Sequence, residues 1–110
     1  MKGNQEIKKT VKELVTKIKE NYKPEKIILF GSCAYGHPTR DSDIDFLIIK
    51  RTKETPMDRR IRIRRIVSDP HRRIPFELLV LTPQEVEKRL KMGDQFIKQI
   101  LAKGEILYAA

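Results

Sequence analysis

Apolar residues recur near the start of the chain at intervals of three and four. Ile7, Val11, Leu14, Val15 and Ile18 form one stripe with lysines and glutamates between them, which predicts an amphipathic helix over 5–21. Pro24 in "NYKPEK" disfavours helix at the residue before it and ends the run. The period then changes. "KIILF", 26–30, is short, β-branched and continuously apolar, the pattern of a buried strand, and Gly31 closes it. "SCAYG", 32–36, has room for a short helical turn, and "HPTRDS" is a loop of turn formers. "DIDFLII", 43–49, reads as the second strand and "IPFELLVLT", 74–82, as the third.

The stretch between those strands is ambiguous. "IRIRRIV" begins with a strand-like alternation, while Met57, Ile61, Ile66 and Val67 fall on one side of a helix. A helix over 56–68 is preferred because it connects two strands of one sheet. Thr82, Pro83 and Glu85 make a helix start, with Thr as N-cap, Pro at the first position and Glu three after the cap. Val86 and Leu90, then Phe96, Ile97, Ile100 and Leu101, give apolar stripes on two helices that break near Gly93. The second stripe is expected to be core, with part of it open as an interface. Gly104 is expected to cap the last helix before a short extended "EILY". Helix, strand, short helix, strand, helix, strand and two helices predict an α+β (α/β-layered) fold, a sheet covered by helices. At 110 residues, without repeats or a linker, the chain reads as a single domain, 1–110.

Charge adds to this picture. The formal net charge is +9, and from Lys50 to Arg73 ten cationic residues stand against three acids. Such a segment attracts phosphate on a nucleotide, a nucleic acid or an acidic partner, and an ordinary solvated helix face would carry it too. Arg59, Arg62 and Arg65 lie roughly along one helical side. Nucleic-acid binding is therefore open but not favoured, because no interleaved aromatics are available to stack bases. No apolar run approaches the roughly 20 residues of a membrane span, and "MKGNQEIKKT" lacks the apolar core of a signal peptide. The expectation is a cytoplasmic protein with no membrane role. Cys33, the single cysteine, excludes an internal disulfide or a cysteine-built zinc site, and His37 and His71 are too few and too far apart for a histidine site.

Against this basic background, acids gather where a core strand begins. Asp43 and Asp45 share one strand face, about 6.5–7 Å apart along the chain, while Ile44, Phe46 and Ile48 fill the other. Carboxylates so aimed raise each other's pKa unless a positive group sits between them. Mg²⁺ suits the place, since it takes oxygen ligands and commonly uses one or two carboxylates with substrate phosphates. Glu77 interrupts the apolar third strand, where a lone ionised group is costly. If the second and third strands are neighbours, Glu77 joins the pair and a two-metal cluster becomes feasible. The structural alternative is that Asp43 caps a turn, Asp45 pairs with an arginine and Glu77 lies at an exposed edge. Asp41 belongs to the loop and fits a turn. Gly31 lets the backbone turn sharply and approach a ligand closely, and Ser32 adds a hydroxyl and the start of a helical turn for phosphate. Cys33 fits a small packed residue better than a nucleophile, Tyr35 a packing or nucleotide-stacking residue, and His37 a loop residue.

"GSCAYGHPTRDSDIDFLII" resembles the signature of the DNA polymerase β-like nucleotidyltransferases, in which Gly-Ser is followed by a ten-residue spacer and Asp-x-Asp. Ten residues, Cys33 to Ser42, separate Ser32 from Asp43. The fuller resemblance is to the minimal nucleotidyltransferase (MNT) group, through Gly31, Ser32, Ala34, Gly36, Ser42, Asp43 and Asp45, and it extends over about residues 10 to 108. It departs at Glu77, where members most often have Asp, and at Cys33 and Tyr35, where many carry an arginine or a tyrosine. The resemblance implies transfer of a nucleoside monophosphate, AMP from ATP, to an acceptor hydroxyl with release of pyrophosphate. Asp43 and Asp45 would serve two Mg²⁺ ions, Glu77 the ion near the acceptor and the acceptor's proton, and Gly31 and Ser32 the β- and γ-phosphates. It further implies a HEPN-domain toxin as partner, silenced by AMP on a tyrosine, with this chain as antitoxin. A catalytically inactive partner-binding module of the same fold is the alternative. On so short a chain, an exposed apolar face would favour a homodimer or a helical partner.

Overall fold

A computed structural model describes residues 2–35, 43–71 and 74–110. The expectations for Gly36, His37, Asp41, Ser42, Arg72 and Arg73 fall outside the described residues. The order is α1 (Lys2–Tyr22), β1 (Lys26–Phe30), α2 (Ser32–Tyr35), β2 (Ile44–Ile49), α3 (Pro56–Ile66), β3 (Phe76–Leu81), α4 (Pro83–Lys91), α5 (Gln95–Lys103) and β4 (Glu105–Ala109). The strands form one mixed sheet in the order β3-β2-β1-β4. β1 runs antiparallel to both β2 and β4, and β2 runs parallel to β3. Parallel neighbours need a crossover, and α3 supplies it. No helix among the described residues is long and apolar enough to cross a membrane.

Helices cover both sides of the sheet. On one, Leu14 and Ile18 of α1 and Ile63 and Val67 at α3 pack on Ile27, Leu29, Ile44, Phe46 and Ile48. On the other, Val86 of α4 and Ile97 and Ile100 of α5 pack on Ile28, Leu47, Ile49 and Leu81. β1 and β2 are therefore buried on both faces, which explains their unbroken apolar sequence. The helix starts follow local chemistry. Thr82 and Glu85 form a capping box on α4, and the Asp94 carboxylate accepts from the Ile97 N–H at the start of α5.

Two expectations need correction. α3 ends at Ile66, and its buried face is only partly the expected one: Val67 is wholly buried and Ile66 packs on the core, but Met57 is 62% and Ile61 42% exposed, and Ile63 is wholly buried instead. Arg59 takes a core position on that face. Its Nη1 donates to the Glu85 carboxylate at 2.7 Å and to the Val80 carbonyl at 3.1 Å, and its Nε donates to the Glu54 carbonyl at 2.9 Å. Gly104 does cap α5, but with an extended backbone rather than a left-handed one. It is glycine because a Cβ there would lie 2.5 Å from the Ile100 carbonyl oxygen and 2.6 Å from Ile28 Cγ2.

Candidate active site

The parallel pairing of β2 with β3 sets Asp45 directly opposite Glu77, and the antiparallel pairing of β2 with β1 sets Asp45 directly opposite Phe30. Opposed residues on neighbouring strands point to the same face. A single row, Glu77–Asp45–Phe30, thus crosses three strands at the end of the sheet, on the side covered by α4 and α5. Asp43 stands two residues before Asp45, immediately before β2 begins. Burial pushes the Asp45 carboxyl above the usual carboxylate range, and the charges of Asp43 and Glu77 add to it. None of the ion pairs among the described residues involves Asp45, so the alternative of an arginine partner is not met there.

Gly31 bends the chain against this row. Its φ is +76°, and a Cβ there would overlap Asp45 Oδ2. The left-handed backbone favours glycine here, and the Asp45 carboxylate occupies the space a Cβ would take. α2 is a single turn in which the Ala34 and Tyr35 N–H groups donate to the Gly31 carbonyl, leaving Ser32 at the bend. Cys33 packs against the core on the α1 side and its Sγ donates to the Asp43 carbonyl at 3.2 Å. Burial pushes its thiol up, with the Asp45 charge adding to the effect, which suits a packed thiol and not a thiolate nucleophile. Tyr35 is exposed.

Glu77 shares the row but leans away from it. Its carboxylate is largely exposed and approaches Arg64 Nη2 at 3.7 Å, while the Arg64 guanidinium lies 5.0 Å from the Phe76 ring centre. As the side chains stand, no three acid, histidine or cysteine groups among the described residues close round an ion. The residues nevertheless fit a hard cation. Asp43 and Asp45 form an open carboxylate pair of the kind Mg²⁺ completes with waters and phosphate oxygens, and none of the ion pairs among the described residues draws on either acid. Arg64 was not foreseen as a neighbour of Glu77; it lies in the last turn of α3, thirteen residues before β3's acid, and only the crossover brings the two together.

The basic stripe is less open than the sequence suggested. Arg59 is buried against Glu85, and Arg62 is paired with Glu54 at 2.7 Å. Burial alone would raise the Glu85 carboxyl, but the Arg59 hydrogen bonds and the Thr82 N–H outweigh it and hold it below the usual range.

Comparison with known proteins supplies the remaining findings. A family model described as "Nucleotidyltransferase domain" matches residues 11–107. Two proteins of Methanocaldococcus jannaschii, each named as a candidate protein adenylyltransferase, are similar over shorter stretches. One is 51% identical over 43 residues, 37% of this chain and 43% of its own length. The other is 42% identical over 48 residues, 44% of this chain and 56% of its own length. The match therefore spans about half the length of these relatives. The crystal structure of a candidate nucleotidyltransferase from Sulfolobus solfataricus superposes with a TM-score of 0.64 at 23% identity, covering 94% of this chain and 83% of that one. At that identity the likeness speaks to the fold.

Proposed function

Because the chain belongs to the nucleotidyltransferase domain family, we propose that it transfers AMP from ATP to an acceptor hydroxyl and releases pyrophosphate. The observation that carries this reading is the row that sets Asp45 opposite Glu77, with Asp43 just before it and the Gly31 bend packed on the Asp45 carboxylate. Asp43 and Asp45 would hold two Mg²⁺ ions against the α-phosphate. Bound there, the ions neutralise phosphate charge and make the acceptor oxygen a better nucleophile.

The chain's own part is positioning and charge placement. Gly31 and Ser32 hold the β- and γ-phosphates, the bend giving the backbone close access. Glu77 faces the acceptor from β3 and takes the proton of its hydroxyl after leaving Arg64. The acceptor oxygen bonds to the α-phosphorus as the bond to the β-phosphate bridging oxygen breaks, and pyrophosphate carries off the electron pair. The names of the M. jannaschii relatives favour a protein as acceptor. The resemblance to the minimal nucleotidyltransferases supports a tyrosine of a HEPN-type toxin as that acceptor, with this chain as antitoxin.

The test is labelling of a candidate HEPN acceptor with radiolabelled ATP and Mg²⁺. Wild type should label it, and Asp43→Asn should label it orders of magnitude more slowly, because the cluster works as a unit. Equal labelling by the two would overturn the assignment. The Glu77–Arg64 contact favours one second reading, a partner-binding module without turnover. Such a module would bind ATP in a calorimeter yet leave no pyrophosphate after incubation with its partner.

A further inference from the structure

The geometry points to Phe96, seated on Phe30, as the platform on which the base of the nucleoside triphosphate stacks. This rests on the nucleotidyl-transfer reading above and adds a subsite to it. Phe96 is 53% exposed, although Ile97 and Ile100 on the same short helix are fully buried. Its ring meets Phe30 edge to face, with centroids 5.7 Å apart and planes at 83°. In such a pair one ring presents an edge to the other's face, so stacking surface remains for a third ring. An exposed aromatic held this way is pre-oriented and loses little freedom on binding a planar ligand.

The position of the pair selects the ligand. Phe30 is the residue directly opposite Asp45, on the same face, and it immediately precedes the Gly31–Ser32 bend. The row therefore has the Glu77 acid at its β3 end, the Asp45 acid in the middle and an aromatic at its β1 end. Glu77, where the acceptor hydroxyl must lie, is two strands from Phe30, roughly 10 Å at the usual 4.8 Å strand spacing. Phosphates held between Asp45 and Gly31–Ser32 put the nucleotide on the β1 side, where α5 presents Phe96. A base projecting from there meets the ring; the acceptor at Glu77 approaches from the opposite side. Base–aromatic stacking tolerates any base but favours the larger purine face.

Calorimetry in Mg²⁺ tests the proposal, with ATP and inorganic tripolyphosphate as probes against wild type, Phe96→Ala and Phe96→Tyr. Wild type should bind ATP more tightly than tripolyphosphate. Phe96→Ala should weaken ATP about tenfold, the low end for a stacked base, and leave tripolyphosphate unchanged, while Phe96→Tyr should retain ATP. Wild type binding both probes equally would remove the base platform and leave the phosphate site standing. Wild type binding neither would sink the site reading, and the platform with it. Undiminished ATP affinity in Phe96→Ala would overturn the proposal, and a raised KM for the acceptor protein beside it would assign the ring to the acceptor. Circular dichroism of Phe96→Ala checks its fold, and the wild-type comparison of the two probes does not depend on any variant.

Discussion

Replacing Arg59 by methionine tests whether a charged residue acts here as a core residue. Arg59 is 4% exposed, and its guanidinium joins three separate elements. It reaches the Glu54 carbonyl before α3, the Val80 carbonyl on β3 and the Glu85 carboxylate on α4. Methionine fills similar space but donates nothing. Glu85 is not orphaned by the change, since it is 38% exposed and keeps the Thr82 N–H at 2.7 Å. The Val80 and Glu54 carbonyls are the groups left without their donor, each costing about 1–3 kcal/mol when buried. Part of this returns through the apolar side chain, so a net loss of about 2–4 kcal/mol is expected. That is a large share of a domain's ~5–15 kcal/mol and lowers the melting midpoint by roughly 10–15 °C. Arg62→Met is the matched control, one turn along the same helix, with a guanidinium 57% exposed and bonded to Glu54 alone. Its midpoint should stay with wild type. Thermal and urea unfolding followed by circular dichroism measures both. Arg59→Met melting together with wild type, or Arg62→Met losing as much as Arg59→Met, would refute the reasoning.

Asp45→Asn should raise the melting midpoint in the presence of a chelator while abolishing nucleotide transfer. An acid whose folded pKa is raised destabilises the fold once pH exceeds its unfolded value, and the penalty vanishes as the group is protonated below that value. The wild-type protein without divalent ions should therefore gain stability relative to Asp45→Asn on acidification; parallel pH profiles of the two would argue against crowding of negative charge at this point. Gly31→Ala should cost about 1–2 kcal/mol for its left-handed backbone and abolish labelling of the acceptor, because the new Cβ displaces the Asp45 carboxylate. Urea unfolding and radiolabel transfer check the two effects separately, and full transfer by the variant would show the close approach to be dispensable.

Most of the architecture could be read from the chain because its local signals agree. The change from three- and four-residue spacing in α1 to the continuous "KIILF" of β1, and the Thr82–Glu85 capping box, are decided within a few residues of sequence. The face of α3 could not be read that way. Hydropathy counts Met57 and Ile61 as core and Arg59 as surface, yet Glu85 and the Val80 carbonyl, both distant in sequence, make the arginine the buried member. The candidate site was half legible. Asp43 and Asp45 declare a shared face by their spacing, whereas the neighbourhood of Glu77 depends on strand order, which no local pattern carries. Phe96 and Ile97 are alike on any hydropathy scale; only the rotation of α5 on the sheet leaves one open beside Phe30 and hides the other.

The Arg59 contact with β3 also bears on how molecules of this protein meet one another. β3 ends the sheet, and the outer rim of an end strand offers unpaired carbonyls to any passing chain. The Leu81 carbonyl turns inward to the Lys50 N–H, so that of Val80, one residue earlier, turns outward. There it finds a guanidinium from its own chain. A second molecule lengthening the ladder past Val80 would first have to displace a buried cation from that carbonyl.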